Sequence, residues 1–487
     1  MEFIRKCASA TGAETQFPQL GASPKKSDTV LSIASRQGVE YHRHSLSTGC
    51  TIPRFLPART SKREAEPALP VVPEPLEATF EIAARRARNC TLFSPEKYLL
   101  SNPDVAAAGM DPHEHLVKYG CFEGREIFTQ LQATRFVGQV ACEAHDYQPP
   151  QPIASSLKGR LKIIVLHSTL GNFFMHNGAA QLVAGLRHAG ADAVLRDETS
   201  DPGEVCDHRI IFAPHEFFHA DRGAKWRVDE ILTTSFFLST EQIQTPWYTV
   251  SFPYLLAGKG VIDGHFHSMR LLESSGVPCV HYTPTPALEV VNFDGSFINH
   301  PLFAGLPAAA KGKPDVANAL EDRALDVCFV GTDSPHREKT LASCAPTLAN
   351  YRCYLYYRRL QRGPIVGSDR SLVSLAAHVS GHSKFTLNLH RDYFGAFEWF
   401  RIVQLGMCSG SLVLSERGLP APGFKSGVHY LECDARHMAE VIDWLLKDPD
   451  GMREAEKVRR QASAAIEEQH IANRQAQGLI AFLEANR

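Results

Sequence analysis

"KFTLNLHRDYFGAFEWFRIVQLGMCSGSLVLSERGLPAPGFKSGVHYLECD", residues 384–434, alternates two kinds of pattern. "KFTLNLH", "SLVLSE" and "VHYLECD" are short, largely apolar runs of strand length. Between the first two, the spacing predicts a helix over 394–408. On it Trp399, Ile402, Val403 and Gly406 recur at i, i+3, i+4 and i+7 and face a core, while Glu398 and Arg401 lie on another face. Strand, helix, strand in succession means a parallel sheet with right-handed crossovers.

The alternation continues upstream. "DVCFVGTDSPHREKTLASCAPTL" (326–348) reads as a strand, a glycine turn and a helix carrying Arg337, and "YRCYLYY" follows as another strand. Before a Pro/Ala/Gly-rich break at 302–315, a second block begins with "LKIIVLH" (161–167). That continuous apolar run is what a strand buried on both faces needs. A helix over 177–190 and the strand-like "ADAVLRDE", "HRIIFAPHE", "TTSFFLSTEQ" and "VPCVHYTPTP" complete it. The expectation is an α/β chain with two doubly wound, Rossmann-like domains facing a cleft. They span 160–315 and 316–487, the second including the terminal helices.

Residues 1–85 lack periodicity and are rich in Ser, Pro and charge, as expected of a disordered leader with a Pro-rich linker. Residues 86–130 read as a small helical module. Ser94 stands as an N-cap before Pro95, and Asp111 before Pro112, with Gly120 closing the second turn.

Composition narrows the function. A formal net charge of −2 gives no global field for nucleic acid. No apolar run approaches the length of a membrane span, and the start lacks the apolar region of a secretory signal, so a cytoplasmic location is expected. The 12 cysteines are scattered without a C-x-x-C pair. They read as reduced thiols rather than a disulfide framework or a zinc site.

"APHEFFHADRG" (213–223) contains His215, Glu216 and His219 in the H-E-x-x-H spelling of a zinc protease. That chemistry needs both histidines on one face of a longer helix, with a third ligand such as Glu241. Here the motif directly follows the strand "RIIFA", Pro214 precedes His215, and Gly223 limits any helix to two turns. The preferred reading puts His215 and Glu216 at the carboxyl end of a parallel strand, where ligands of open α/β sheets bind. The plainer alternative is local helix capping. His265 and His267 in "HFH" read as structural.

The segments 326–348 and 384–434 resemble the nucleotide-sugar half of GT-B glycosyltransferases related to family 1 and family 4. "APHEFF" and "STEQIQTPW" look like elements of the acceptor half in bacterial members. "YLLSNPDVAAAGMDPHEHLVKYGCFEGRE" is similar to a short module found beside bacterial surface-polysaccharide domains. The resemblance implies a cytoplasmic bacterial enzyme of hexosyltransferase type. It would move a sugar from a nucleotide-sugar donor to a glycan or lipid-linked acceptor, with peripheral association at the inner membrane face. It implies no metal and no other cofactor, because cations and helix dipoles carry the charge work.

On that basis Gly331 and Thr332 form a turn where backbone approaches a phosphate. Arg337 and Lys384 are the cations, and Glu398, beside Arg401, holds the donor ribose. Bland alternatives are a surface Glu398–Arg401 ion pair and a solvated Arg337. Family 4 enzymes carry E-x7-E across this helix, whereas Gly406 stands eight residues after Glu398, which makes this a divergent match. An inverting member needs a general base, for which His215 and Glu216 are the candidates with His167 behind them; a retaining member needs none. Other readings are a catalytically silent GT-B-like scaffold of a polysaccharide system and a nucleotide-sugar epimerase.

Overall fold

The computed structural model describes residues 76–150, 161–219, 221–283, 297–358, 370–392, 394–471 and 474–487. Residues 1–75 of the expected leader lie outside them.

The strands form two sheets. β1 (Lys162–His167), β2 (Asp192–Asp197), β3 (His208–Phe212), β4 (Phe236–Ser239), β5 (Gly260–Asp263) and β6 (Cys279–His281) make the first, in the order β2-β1-β3-β4-β5-β6. β7 (Leu325–Thr332), β8 (Cys353–Arg358), β9 (Ser383–Asn388), β10 (Leu412–Glu416) and β11 (Leu431–Cys433) make the second, in the order β11-β10-β9-β7-β8. Every pairing is parallel. Helices on both faces explain the apolar runs: Ile163 to Leu166 of β1 and Val327 to Phe329 of β7 are buried without alternation. These are the two doubly wound domains that the alternation implies.

Each sheet reverses its winding once. In the first the chain goes from β1 to β2 on one side, then returns to place β3 on the other side of β1. In the second it goes from β7 to β8 and returns to place β9 beside β7. The crevices at the carboxyl ends of β1/β3 and β7/β9 are therefore the two topological switch points, the positions where such sheets bind ligands.

The helix expected over 394–408 takes another form. Residues 395–398 are loop, Phe400–Gly406 is a π-helix, and a 3-10 turn, Met407–Ser409, closes the segment. Arg401 and Gln404 are buried along with Ile402, Val403 and Leu405. The segment runs between the two domains, so its polar side meets protein instead of water. The wide turn of a π-helix is a feature met often at functional sites. Gly406 faces β10: a Cβ there would stand 2.0 Å from Cγ2 of Val413.

The C-terminal assignment needs one correction. Arg474–Ala485, expected to belong to the second domain, packs on the Phe173–His188 helix of the first. Phe482 meets Phe236 edge-on at 5.7 Å, and Glu484 pairs with Nε2 of His208 at 2.9 Å. Its apolar side extends the first domain's core, which composition alone does not reveal.

The helical module joins the first domain too, and it begins earlier than expected: residues 77–85, expected in the leader, belong to the helix Glu77–Ala87. Ser94 and Asp111 cap as their positions predict, accepting from the amides of Lys97 and of His113 and Glu114. Helix Glu77–Ala87 has no side-chain cap of its own at Leu76. Asp229 supplies one from the first domain, accepting from the amides of Ala78 at 3.1 Å and Thr79 at 2.8 Å. Arg86 donates to the carbonyls of Leu256 and Gly258 at 2.6 and 2.8 Å, and the module shares one hydrophobic core with the helix Pro246–Ala257.

Candidate functional site

Arg337 lies across the switch point of the second sheet. Its Nε donates to the carbonyl of Leu389 at 3.0 Å, beyond β9, and its Nη1 donates to the carbonyl of Thr332 at 2.9 Å and to its Oγ1 at 3.1 Å, at the end of β7. Burial, then the nearby Arg401 charge, lowers its pKa to about 9. Arg337 is therefore not the solvated helix residue of the plainer reading; it is 3% exposed. Nη2 makes no hydrogen bond among the described residues, which leaves a donor at the crevice.

Gly331 and Thr332 are not the turn expected there. They are the last two residues of β7, paired with Tyr357 and Arg358. Gly331 sits over the Phe329 ring, which a Cβ would meet at 2.7 Å. The turn comes after them, and Ser334 caps the following helix through the amide of Arg337. Lys384 is placed elsewhere. It stands at the amino end of β9, the far edge of the sheet from Arg337, ion-paired with Asp326 at 3.0 Å. Lys384 is the first residue of the run "KFTLNLH", so its place at the amino end, away from the ends where such sheets bind ligands, was already set by chain order.

Glu398 and Arg401 form an ion pair at 3.1 Å, but inside the cleft rather than on a surface. Arg401 is held by Oδ1 of Asn388, at the end of β9, at 2.8 Å. Burial pushes the Glu398 carboxyl upward, and Arg401, Arg337, His265 and His390 outweigh it, leaving the pKa at about 2. Glu398 is thus a fixed negative charge among cations.

On the opposite wall, Glu216 crosses the first sheet's switch point: its Oε2 accepts from the amide of Asn172, in the loop after β1, at 2.8 Å. Burial raises its pKa to about 7. Glu241, at the end of β4, is raised to about 7 by burial and then by the Glu216 and Glu398 charges. His215 lies between, its Nε2 3.6 Å from Glu241 and its Nδ1 3.3 Å from Oγ of Ser251. Burial, with His219 adding to it, depresses its pKa to about 3. His167 ends β1 and faces the His176 ring at 4.5 Å.

Three residues that sequence reading passed over complete the site. Gln242 donates from Nε2 to Oε1 of Glu398 at 2.9 Å, tying the two walls together. Glu416, ending β10, accepts from the His390 amide at 2.6 Å and contacts Nε2 of His336 at 2.8 Å. His390 Nε2 reaches the carbonyl of Arg417 at 3.0 Å. Glu416 had a legible signal, a carboxylate closing the apolar run "SLVLSE"; Gln242 lay in the stretch "STEQIQTPW", with nothing to mark that residue within it.

The zinc spelling dissolves in three dimensions. The helix covers only Pro214–Phe217, so His219 lies beyond it. His215 faces Ser251, Glu241 and Trp247, whereas His219 lies against the rings of Phe122 and Tyr254. Among the described residues no group of three or more His, Cys, Asp or Glu is arranged to hold a metal ion. His265 is the N-cap residue of helix Phe266–Ser274, and His267 lies within that helix.

No family model and no curated protein sequence matches the chain. Among solved structures it is similar to HepE of Anabaena in complex with UDP-glucose, at 11% identity and a TM-score of 0.39, over 66% of this chain and 99% of that one. It is similar to the trehalose 6-phosphate synthase of Burkholderia multivorans at 10% identity and 0.38, over 67% and 99%. An α1,3-fucosyltransferase with GDP-fucose matches at 10% and 0.34, over 71% and 95%. No helix among the described residues is long and apolar enough to cross a membrane.

Proposed function

We propose that the protein is a glycosyltransferase of GT-B type. It would move a sugar from a nucleotide-sugar donor to a glycan or lipid-linked acceptor without a metal, at the cytoplasmic side of a bacterial surface-glycan system. The observation that carries this reading is the convergence of the two switch points on one cleft. Arg337 and Arg401 line one wall, and Glu216 and Glu241 line the other. The resemblance of residues 384–434 to nucleotide-sugar domains supports it independently.

The division of labour follows from charge. A leaving nucleoside diphosphate develops negative charge, and buried guanidinium groups stabilise it without reorganising. Arg337 offers its unused Nη2 and Arg401 a positive charge beside it. Glu398 is ionised and suits a ribose hydroxyl as acceptor. In an inverting reaction Glu216 is the better base of the two residues put forward. A pKa near 7 matches proton transfer at neutral pH, whereas His215, at about 3, holds a proton too weakly.

Thermal denaturation with UDP, GDP, TDP, CMP and their sugars, in excess EDTA, tests the reading. A nucleotide present at a hundred times its dissociation constant stabilises the fold by about 2.7 kcal/mol. A shift with one nucleotide, absent in Arg337→Ala, is the expected result. No shift with any of them removes the donor-binding function.

A further inference from the structure

We infer that Trp247 is a stacking platform for a pyranose ring of the acceptor, with the Glu241 carboxylate receiving one of its hydroxyls. This rests on the glycosyl-transfer reading and narrows its acceptor to a sugar ring. Of the chain's four tryptophans, Trp226 and Trp399 are buried and Trp444 is half-buried, while Trp247 is 51% exposed. A lone exposed aromatic is ordinary on a protein surface. This one is set in a particular place. It opens the helix Pro246–Ala257, which begins on the carboxyl-end side of β4, and its ring lies tilted against buried His215 with centroids 5.9 Å apart.

Through His215 the ring neighbours Glu241. Among the described residues Glu241 Oε2 meets the Thr245 hydroxyl at 3.4 Å and Oε1 meets Nε2 of His215 at 3.6 Å, and the side chain keeps 18% of its surface exposed. Gln244 donates to Oε1 of Gln242 at 2.6 Å, and Gln242 continues to Glu398. A pyranose presents an apolar face of C–H groups and a rim of hydroxyls. An indole face with a carboxylate one imidazole away offers a partner to each. A lipid tail would leave the Glu241 oxygens without a donor, which is costly.

Saturation-transfer NMR tests this with methyl glucosides, methyl galactosides, N-acetylglucosamine and maltose as probes, in the presence of whichever nucleotide stabilises the fold. The expected result is transfer to the C–H face of at least one sugar, with affinity reduced about tenfold in Trp247→Ala and largely restored in Trp247→Phe. Both variants should keep the nucleotide-induced shift of the wild type, which also shows that they fold. A nucleotide shift without any sugar signal, or with a signal indifferent to Trp247→Ala, overturns the inference and leaves the transferase reading standing. Trp247-dependent binding of isoprenoid-phosphate micelles without sugar binding overturns it in favour of a lipid. Absence of both nucleotide and sugar binding overturns the two together.

Discussion

Gln242 spans the cleft and donates a 2.9 Å hydrogen bond to Glu398, joining a loop of the first sheet to the loop before the π-helix of the second. A second amide pair, Gln181 with Gln404, makes a similar link deeper in the interface, and Phe174 meets Phe400 at 4.4 Å. The two walls are thus held in register by polar contacts that a ligand can replace. Because Glu398 carries a charge, the Gln242 contact is stronger than one between neutral groups.

A double-mutant cycle of Gln242→Ala and Glu398→Ala should return a coupling of about 1.5 kcal/mol in chemical denaturation. Additive single effects would show that the contact does not form in solution.

Arg337→Ala should cost about 2–4 kcal/mol, because the Leu389 and Thr332 carbonyls lose their donor in a buried setting. Arg337→Lys keeps the charge without the fork and should recover part of the stability. Its donor KM should stay raised by about tenfold or more. Unfolding curves and donor titrations separate the two effects.

Glu216 makes a signed pH prediction. Its folded pKa, about 7, lies above the ordinary carboxylate value of 4.5. The folded state therefore binds its proton more tightly. The associated stability is fully present below pH 4.5 and is lost as pH rises through 7. Glu216→Gln should then match the wild type at acid pH and exceed it above pH 7, by at most about 3 kcal/mol. Melting temperatures across that range check the sign. If Glu216 is the base, kcat/KM of the wild type falls below pH 7 and the variant loses turnover but not donor binding.

Lys384→Ala is expected to lower stability by about 1–2 kcal/mol, since Asp326 keeps Arg352 as a partner. Donor affinity should not change. A raised donor KM in this variant would put the cation back in the site.

Gly406→Ala should destabilise by about 1–3 kcal/mol, as the added methyl runs into Val413.

Much was determined by the sequence alone. Apolar runs of strand length separated by helical stretches specify two doubly wound sheets, because a strand covered on both faces must be apolar throughout. The caps at Ser94 and Asp111 were local, and so were legible. Arg337 and Glu216 were named from their places after strands, and Glu398 with Arg401 from the resemblance of residues 384–434.

What tertiary structure decided was which helix form and which partner. Lys384 opens the run "KFTLNLH" and Arg337 follows a strand, so chain order already sets them at opposite ends of a parallel sheet. Residues 400–406 carry an α-helical apolar period, but they form a π-helix whose polar residues are buried too, Arg401 against Asn388 and Gln404 against Gln181 of the first domain. His215 and His219 share a motif in sequence and face different neighbours in space. Gln242 and Glu398 are 156 residues apart and meet only because two domains close on each other. Periodicity reports which side of an element is buried; it carries no information about what another domain brings to that side.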